Sequence, residues 1–456
     1  MADDLAELMA ERAGDRLALH ARHLNANRVE SARRIGLDQG FAGAQGCWLV
    51  AADGKRTLDC DAGNAVFAVG RNAPQVRAAL QELLAAGPAN WVTGSPPLLA
   101  GLLAEALAAQ MPPGLSRVLF TNTGSETVEA AIKLARRATG RTRLLCLDGD
   151  FHGLTMGALS ITDPSSRLAL TAQGFGPMLP GCEGLPWADA DALERALAKG
   201  DVAALVVEPV QGASVRVLPG AYIQRAAQLC REYGALLVVD EILSGLGRTG
   251  SFLACQHAGV VPDVVLLAKG LSGGIVPVGA MVVRDAVWEP LFRDRHCFIH
   301  ASTFGENDYA MAAGLATLRV IAEQGLVAHA KVVGAQWQRE LEALRERHPM
   351  IAEVRGRGLL VGIELRAAGG WLRNPAARWL EERGMLGRLV MMWLNLRHRI
   401  LVSTPTRNNL LRLHPPLTIG AAECSQVVAA LDDVLGQAER FPDGVGRMLF
   451  DRLREM

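Results

Sequence analysis

A chain of 456 residues, half of them apolar, can bury one large core and a smaller one, and it leaves little room for extended disorder. Lysine plus arginine and aspartate plus glutamate both number 47, so the formal charge is zero. With no global field to favour nucleic acid or an anionic membrane, small molecules are the expected partners.

The eight cysteines lack C-x-x-C spacing, which suits a reducing compartment better than a disulfide framework. The start, Met1-Ala2-Asp3-Asp4, is acidic where a secretory signal is basic, and no apolar run reaches the length of a membrane span. The expected location is the cytoplasm. No repeat or low-complexity block divides the chain. Residues 1–75 are read as a segment joining a small domain, 76–340 as a large domain, and 341–456 as a C-terminal small domain of α+β character.

In chain order, Arg117 to Thr121, Leu144 to Leu147, Ala204 to Val207, Ala235 to Val239, Val264 to Ala268 and Val278 to Val283 read as buried strands. Ser125 to Arg137 and Ala221 to Tyr233 read as helices, the second stopped by Gly234. This alternation predicts an α/β fold with helices on both faces of a mainly parallel sheet. After Asn307 the pattern is helical to about Glu346, and then mixes strands with helices, as in Val354 to Leu365 and Ala421 to Leu435.

Ligands of open parallel sheets sit outside the carboxyl ends of the strands. Those ends carry Thr121-Asn122-Thr123-Gly124-Ser125-Glu126, Asp148-Gly149-Asp150-Phe151-His152-Gly153, Glu208-Pro209-Val210-Gln211-Gly212, Asp240-Glu241 and Lys269-Gly270. Lys269 follows the apolar run Val264 to Ala268, so its amine is expected to be partly desolvated, which lowers a lysine pKa and yields the free amine of Schiff-base chemistry. An isolated lysine there would more often be a snorkelling strand end.

Asp240 closes the run Ala235 to Val239 and is expensive to bury without a cation; a pyridinium nitrogen is one such partner, and a strand-end cap or a metal ligand are others. Gly124 and Ser125, at a strand-to-helix turn, are placed to receive a phosphate, although Thr123 or Ser125 could serve merely as an N-cap. Phe151 and His152 offer flat faces for an aromatic cofactor.

Together these segments resemble the class III aminotransferases, the ornithine and omega-amino acid type, from about Gly46 to Leu435. Asn122 to Glu126 with Ala130 to Arg136 looks like the family's phosphate-binding turn, and Phe151-His152-Gly153 like its ring-stacking segment. Glu208 to Gly212 looks like its buried-glutamate strand end, and Asp240-Glu241-Ile242 with Gly245 to Gly250 like its cofactor-aspartate signature. Ala268-Lys269-Gly270 resembles the Schiff-base strand, Ser302 to Gly305 a turn whose threonine reaches the partner subunit's phosphate, and Val354 to Gly358 the lobe junction.

The resemblance implies fold type I, pyridoxal 5'-phosphate, ping-pong transamination between an amine and a 2-oxo acid, and a homodimer. Carried over by residue, Lys269 and Asp240 are catalytic, and Gly124, Ser125, Phe151, His152, Glu208, Gln211 and Thr303 join them around the cofactor. Arg412-Leu413-His414-Pro415 most resembles the ornithine, acetylornithine and putrescine branch. There the arginine binds a carboxylate, for which its planar fork is suited; the alternative is a structural salt bridge.

Four departures mark a specialised subgroup. Ala213 stands where ornithine-type enzymes carry a glutamate that masks the arginine, and Leu243 replaces a common glutamine. Gly305-Glu306-Asn307-Asp308 and Gly70-Arg71-Asn72-Ala73-Pro74 replace commoner turns.

An aminomutase, a decarboxylase or a racemase on the same scaffold would carry nearly the same residues. A nicotinamide oxidoreductase is suggested by the G-x-G-x-x-G of Gly245 to Gly250, but Asp240 to Ser244 intervene after the strand and Asp263 precedes a strand where the ribose-binding acid ends one. His296, Cys297 and His300 have spacing for a metal but no evident fourth ligand, and no metal is expected.

Overall fold

A computed structural model describes residues 4–90, 92, 94–163, 172–292, 300–368, 375–405 and 409–439. Helices within residues 5–34 lead into three short strands, β1 (Gly43–Gln45), β2 (Trp48–Val50) and β3 (Arg56–Asp59). The central sheet follows: β4 (Leu115–Thr121), β5 (Arg143–Leu147), β6 (Cys182–Leu185), β7 (Val202–Val207), β8 (Leu236–Asp240), β9 (Val264–Leu267) and β10 (Gly279–Arg284). A third sheet is built from β11 (Ile351–Arg357), β12 (Leu360–Leu365) and β14 (Leu410–Leu413), while β13 (Ile400–Leu401) returns to pair in parallel with β3.

The central order is β4-β10-β9-β8-β7-β5-β6, and only β10 runs against the rest. The strands are apolar throughout because both faces are covered. Along β7, Leu205 and Val207 belong to one cluster with Tyr222, Ile223 and Ala226 of the helix Gly220–Tyr233. Ala204 and Val206 belong to another, with Val128, Ile132 and Ala135 of the helix Gly124–Thr139. A period of two on a strand thus feeds two helical layers.

Each expected strand of this sheet forms, with ends shifted by up to two residues. β6, with only Leu185 buried along its length, was not foreseen because an edge strand carries little apolar signal. The long helical stretch is two helices, Asp308–Glu323 and Leu326–Arg347, parted at Gly325 in the left-handed region. Val354 to Leu365 is a hairpin, turned at Gly358 with φ 58°. The boundaries drawn at 75/76 and 340/341 fall inside the helices Pro74–Ala86 and Leu326–Arg347.

Among the described residues no single helix is long and apolar enough to cross a membrane. All parallel strands point their carboxyl ends the same way, so the singled-out segments gather along one edge. β9, β8, β7 and β5 stand side by side there, and β10 separates them from β4.

Candidate functional site

Lys269 leaves the end of β9 in a left-handed conformation, φ 45°, which an L side chain adopts only when its surroundings over-determine it. Burial holds its amine below the ordinary lysine value, against the opposing pull of the Glu208 and Asp240 carboxylates. Lys269 makes no hydrogen bond or ion pair with a described residue. A desolvated amine close to two acids and bound to neither is chemically available.

Asp240 ends β8, the neighbouring strand, and is 4% exposed. Its Oδ1 accepts from the Ile242 amide at 3.0 Å, and Oδ2 faces His152 Nδ1 at 2.8 Å. His152 is sealed in: burial works against its charge, but carboxylates on both sides of the ring outweigh this and push its pKa up to about 10. The ring of His152, expected among the cofactor contacts, turns Nδ1 to Asp240 and Nε2 toward Asp150.

Glu208, just past β7, accepts from the amides of Phe151 at 2.7 Å and Gly212 at 2.9 Å. Burial, reinforced by the charges of Asp150 and Asp240, raises its carboxyl to about 8. Phe151 is half-buried, its backbone fixed by that bond.

Gln211, expected among the cofactor contacts, has both ends of its amide engaged elsewhere. Nε2 donates to Asp148 O and Asp150 Oδ1, each at 2.9 Å, and Oε1 accepts from Ser214 and Arg216. It thereby supports Asp150.

The helix Gly124–Thr139 opens with Thr123 as N-cap, its Oγ1 accepting from Glu126 N at 3.2 Å. The amides of Gly124 and Ser125 have no acceptor among the described residues, and with the helix dipole they form an anion seat. Two glycines let the chain close on that seat. A Cβ at Gly279 would meet Thr121 Oγ1 at 2.5 Å and Thr123 O at 2.9 Å, and one at Gly153, with φ 133°, would strike Ser125 Oγ.

The turn bearing Thr303 is tied to the same helix start: Ser302 Oγ receives Asn122 Nδ2 at 2.5 Å, and Glu126 holds both the amide and the side chain of Asn122. Thr303 itself is exposed, as is Phe304 beside it.

Arg412, on β14, forms no salt bridge among the described residues. Nη1 donates to Gly212 O at 2.8 Å, Nη2 reaches Asn64 Oδ1 at 3.5 Å, and Nε is buried without a partner. Burial lowers its pKa. The backbone carbonyl next to Ala213, and no glutamate, covers this guanidinium.

The expectation of pyridoxal phosphate fits these residues. An available amine, a buried carboxylate one strand away and a seat of unpaired amides match an aldehyde, a ring nitrogen and a phosphate. The Gly245 to Gly250 segment fits no dinucleotide: a Cβ at Gly247 would meet Val327 at 3.0 Å and one at Gly250 would meet the Lys331 backbone at 2.9 Å, so its glycines admit protein packing. Of the histidine-cysteine set, His296 and Cys297 lie outside the described residues.

Sequence reasoning did not single out Asn64 and gave no role of their own to Asn122 and Asp150. Asp150 was visible as a polar residue at a buried strand end; Asn64 carries no signal, being brought to Arg412 from 348 positions away.

The family model described as Aminotransferase class-III matches residues 40–435. The putrescine aminotransferase of Pectobacterium atrosepticum is 37% identical, over 85% of this chain and 80% of its own. The aminotransferase PigE of a Serratia species is 35% identical over 94% of this chain, which spans only 54% of that longer relative. The crystal structure of an (S)-enantioselective omega-transaminase from Thermomicrobium roseum aligns with a TM-score of 0.81 at 31% identity, covering 95% of this chain and 100% of that one. Matched along most of its length by a family that depends on pyridoxal phosphate, the chain belongs to the class III aminotransferases.

Proposed function

We propose that the chain moves the amino group of a terminal primary amine, a diamine or an omega-amino acid, to or from a 2-oxo acid such as 2-oxoglutarate or pyruvate, in a ping-pong reaction. The observation that carries this is Lys269: a desolvated amine with no hydrogen-bond or ion-pair partner among the described residues, beside Asp240, at the shared edge of β8 and β9. The names of the putrescine aminotransferase and omega-transaminase relatives support a terminal amine as donor.

When bound, pyridoxal phosphate supplies an electron sink for the pair left behind as the substrate carbon loses its proton. Lys269 Nζ would hold the cofactor's aldehyde group and, when free of it, would carry that proton. Asp240 would balance the ring nitrogen's positive charge, the amides of Gly124 and Ser125 would hold the phosphate, and Phe151 would cover a ring face. Glu208 fixes Phe151 and Gly212.

Arg412 is the carboxylate reader: its Nε lacks a hydrogen-bond partner and no acid among the described residues forms an ion pair with it. The chain acts as a homodimer, with Thr303 of each subunit reaching the phosphate of the other, a reading supported by the exposure of that anchored turn.

Initial rates with a panel of amines against both oxo acids test the reading. Parallel double-reciprocal lines with a terminal amine are expected, and an absence of amino transfer to either acid would overturn it. Arg412→Ala should raise KM for the oxo acid far more than for a carboxylate-free amine, and equal effects would remove that role.

A further inference from the structure

His152 stands between two carboxylates that approach opposite nitrogens of its ring. Asp240 Oδ2 lies 2.8 Å from Nδ1, and Asp150 Oδ2 lies 3.7 Å from Nε2. The second distance is beyond a hydrogen bond, so Asp150 acts there by its charge. All three side chains are sealed from solvent, and Nε2 has no hydrogen-bond partner among the described residues.

Asp150 is itself fixed. Gln211 Nε2 donates to Oδ1 at 2.9 Å and the Leu147 amide to Oδ2 at 3.1 Å, and Gln211 is in turn held by Asp148 O, Ser214 and Arg216.

We propose that Asp150 is a positioning residue which, acting through His152, keeps that ring protonated on both nitrogens so that Nδ1–H always faces Asp240. The physical reason is a count of protons. A neutral imidazole has one proton for two nitrogens, and either tautomer is open to it. The tautomer with a bare Nδ1 sets a lone pair against Asp240, a contact relieved only if Asp240 takes up a proton and loses the charge that a pyridinium needs. An anion beside Nε2 favours the doubly protonated ring and closes that route.

Arg216, bound to Gln211, lies close enough to Asp150 for its charge to favour the ionised carboxylate; beside the pair stand Glu208 from the end of β7 and Lys269 from the end of β9. Burial makes the glutamate hard to ionise and the lysine hard to protonate, so neither replaces Asp150. The consequence for the cofactor rests on the role proposed above for Asp240; the state of the ring does not.

The test is side-chain nitrogen NMR of full-length protein labelled at histidine, with and without pyridoxal phosphate, with His152→Asn used to assign the signal. In the unaltered protein both ring nitrogens should stay protonated from pH 6 to beyond pH 8, in the cofactor-free form as in the loaded one. In Asp150→Asn the proton affinity of His152 should fall tenfold or more, a shift of at least one unit. A neutral His152 in the unaltered protein at pH 7.5 would overturn the proposal, as would an unmoved titration in a folded Asp150→Asn.

Should that variant not fold, a neutral His152 in the unaltered protein still overturns the proposal. A protein that takes up no pyridoxal phosphate refutes the proposed function instead, while the cofactor-free spectrum continues to report on Asp150.

Discussion

At the scale of single residues, the site depends on ionisable groups withheld from water. Lys269 combines a strained backbone with a desolvated amine. Lys269→Ala should therefore abolish amino transfer and the visible absorption of bound cofactor, while far-ultraviolet circular dichroism stays unchanged; retained turnover would contradict the assignment.

Glu208 gives a pH prediction. Its pKa rises from 4.5 to about 8 on folding, so the native state holds a proton that the unfolded chain releases. Its contribution to stability is complete below about pH 4.5 and is lost as pH climbs through about 8. In cofactor-free protein, urea unfolding should show stability falling over this window, and Glu208→Gln should flatten that slope. Lys269, Asp240 and Glu208 were legible because each ends an apolar run. The role of His152 was not, since its hydrogen bond to Asp240 spans 88 positions.

At the scale of elements, the phosphate seat needs β10 to pass close by the start of the helix Gly124–Thr139. Gly279 allows that approach, with Thr121, Thr123 and Thr127 all in the way of a Cβ. Gly279→Ala should cost about 1–3 kcal/mol through overpacking, measured by chemical denaturation, and should weaken cofactor binding because Thr123 caps the same helix. An unchanged midpoint and unchanged affinity would show that the turn yields freely. Sequence pattern located the strand and the helix here, through the run ending at Thr121 and the N-cap at Thr123. The closeness of β10 was hidden, since an antiparallel strand inserted between β4 and β9 looks like any other apolar run.

At the scale of the molecule, distant parts of the chain are clamped together around the site. Arg248 is 2% exposed and donates Nη1 to the carbonyls of Leu359 and Pro415, joining the glycine-rich segment to the hairpin turn before β12 and to the stretch just after β14, the strand that carries Arg412. Its burial without an acid lowers its pKa to about 9. Arg248→Ala leaves two carbonyls unpaired and should destabilise the protein by about 3 kcal/mol or more, seen as an earlier unfolding midpoint; no shift would show that water replaces the guanidinium.

The proposed dimer makes a second prediction. Thr303→Ala should loosen pyridoxal phosphate several-fold without changing the sedimentation coefficient, and Asn122→Ala, which frees the Ser302 anchor, should do the same. Equal affinity in both variants would leave the turn without a part in cofactor binding.

The order of apolar runs, their lengths and the polar residues that close them determined the parallel sheet and put Lys269, Asp240, Glu208 and the Gly124-Ser125 turn on one edge of it. Burial of a strand on both faces leaves an unbroken apolar stretch in the sequence, and a parallel sheet then aligns all its carboxyl ends. Which side chains meet across those ends was decided by the tertiary structure alone. Asp150 against His152, Asn64 beside Arg412 and Gln211 turned to support Asp150 depend on strand order and loop path, and pairings between residues far apart in the chain leave no periodic trace in it.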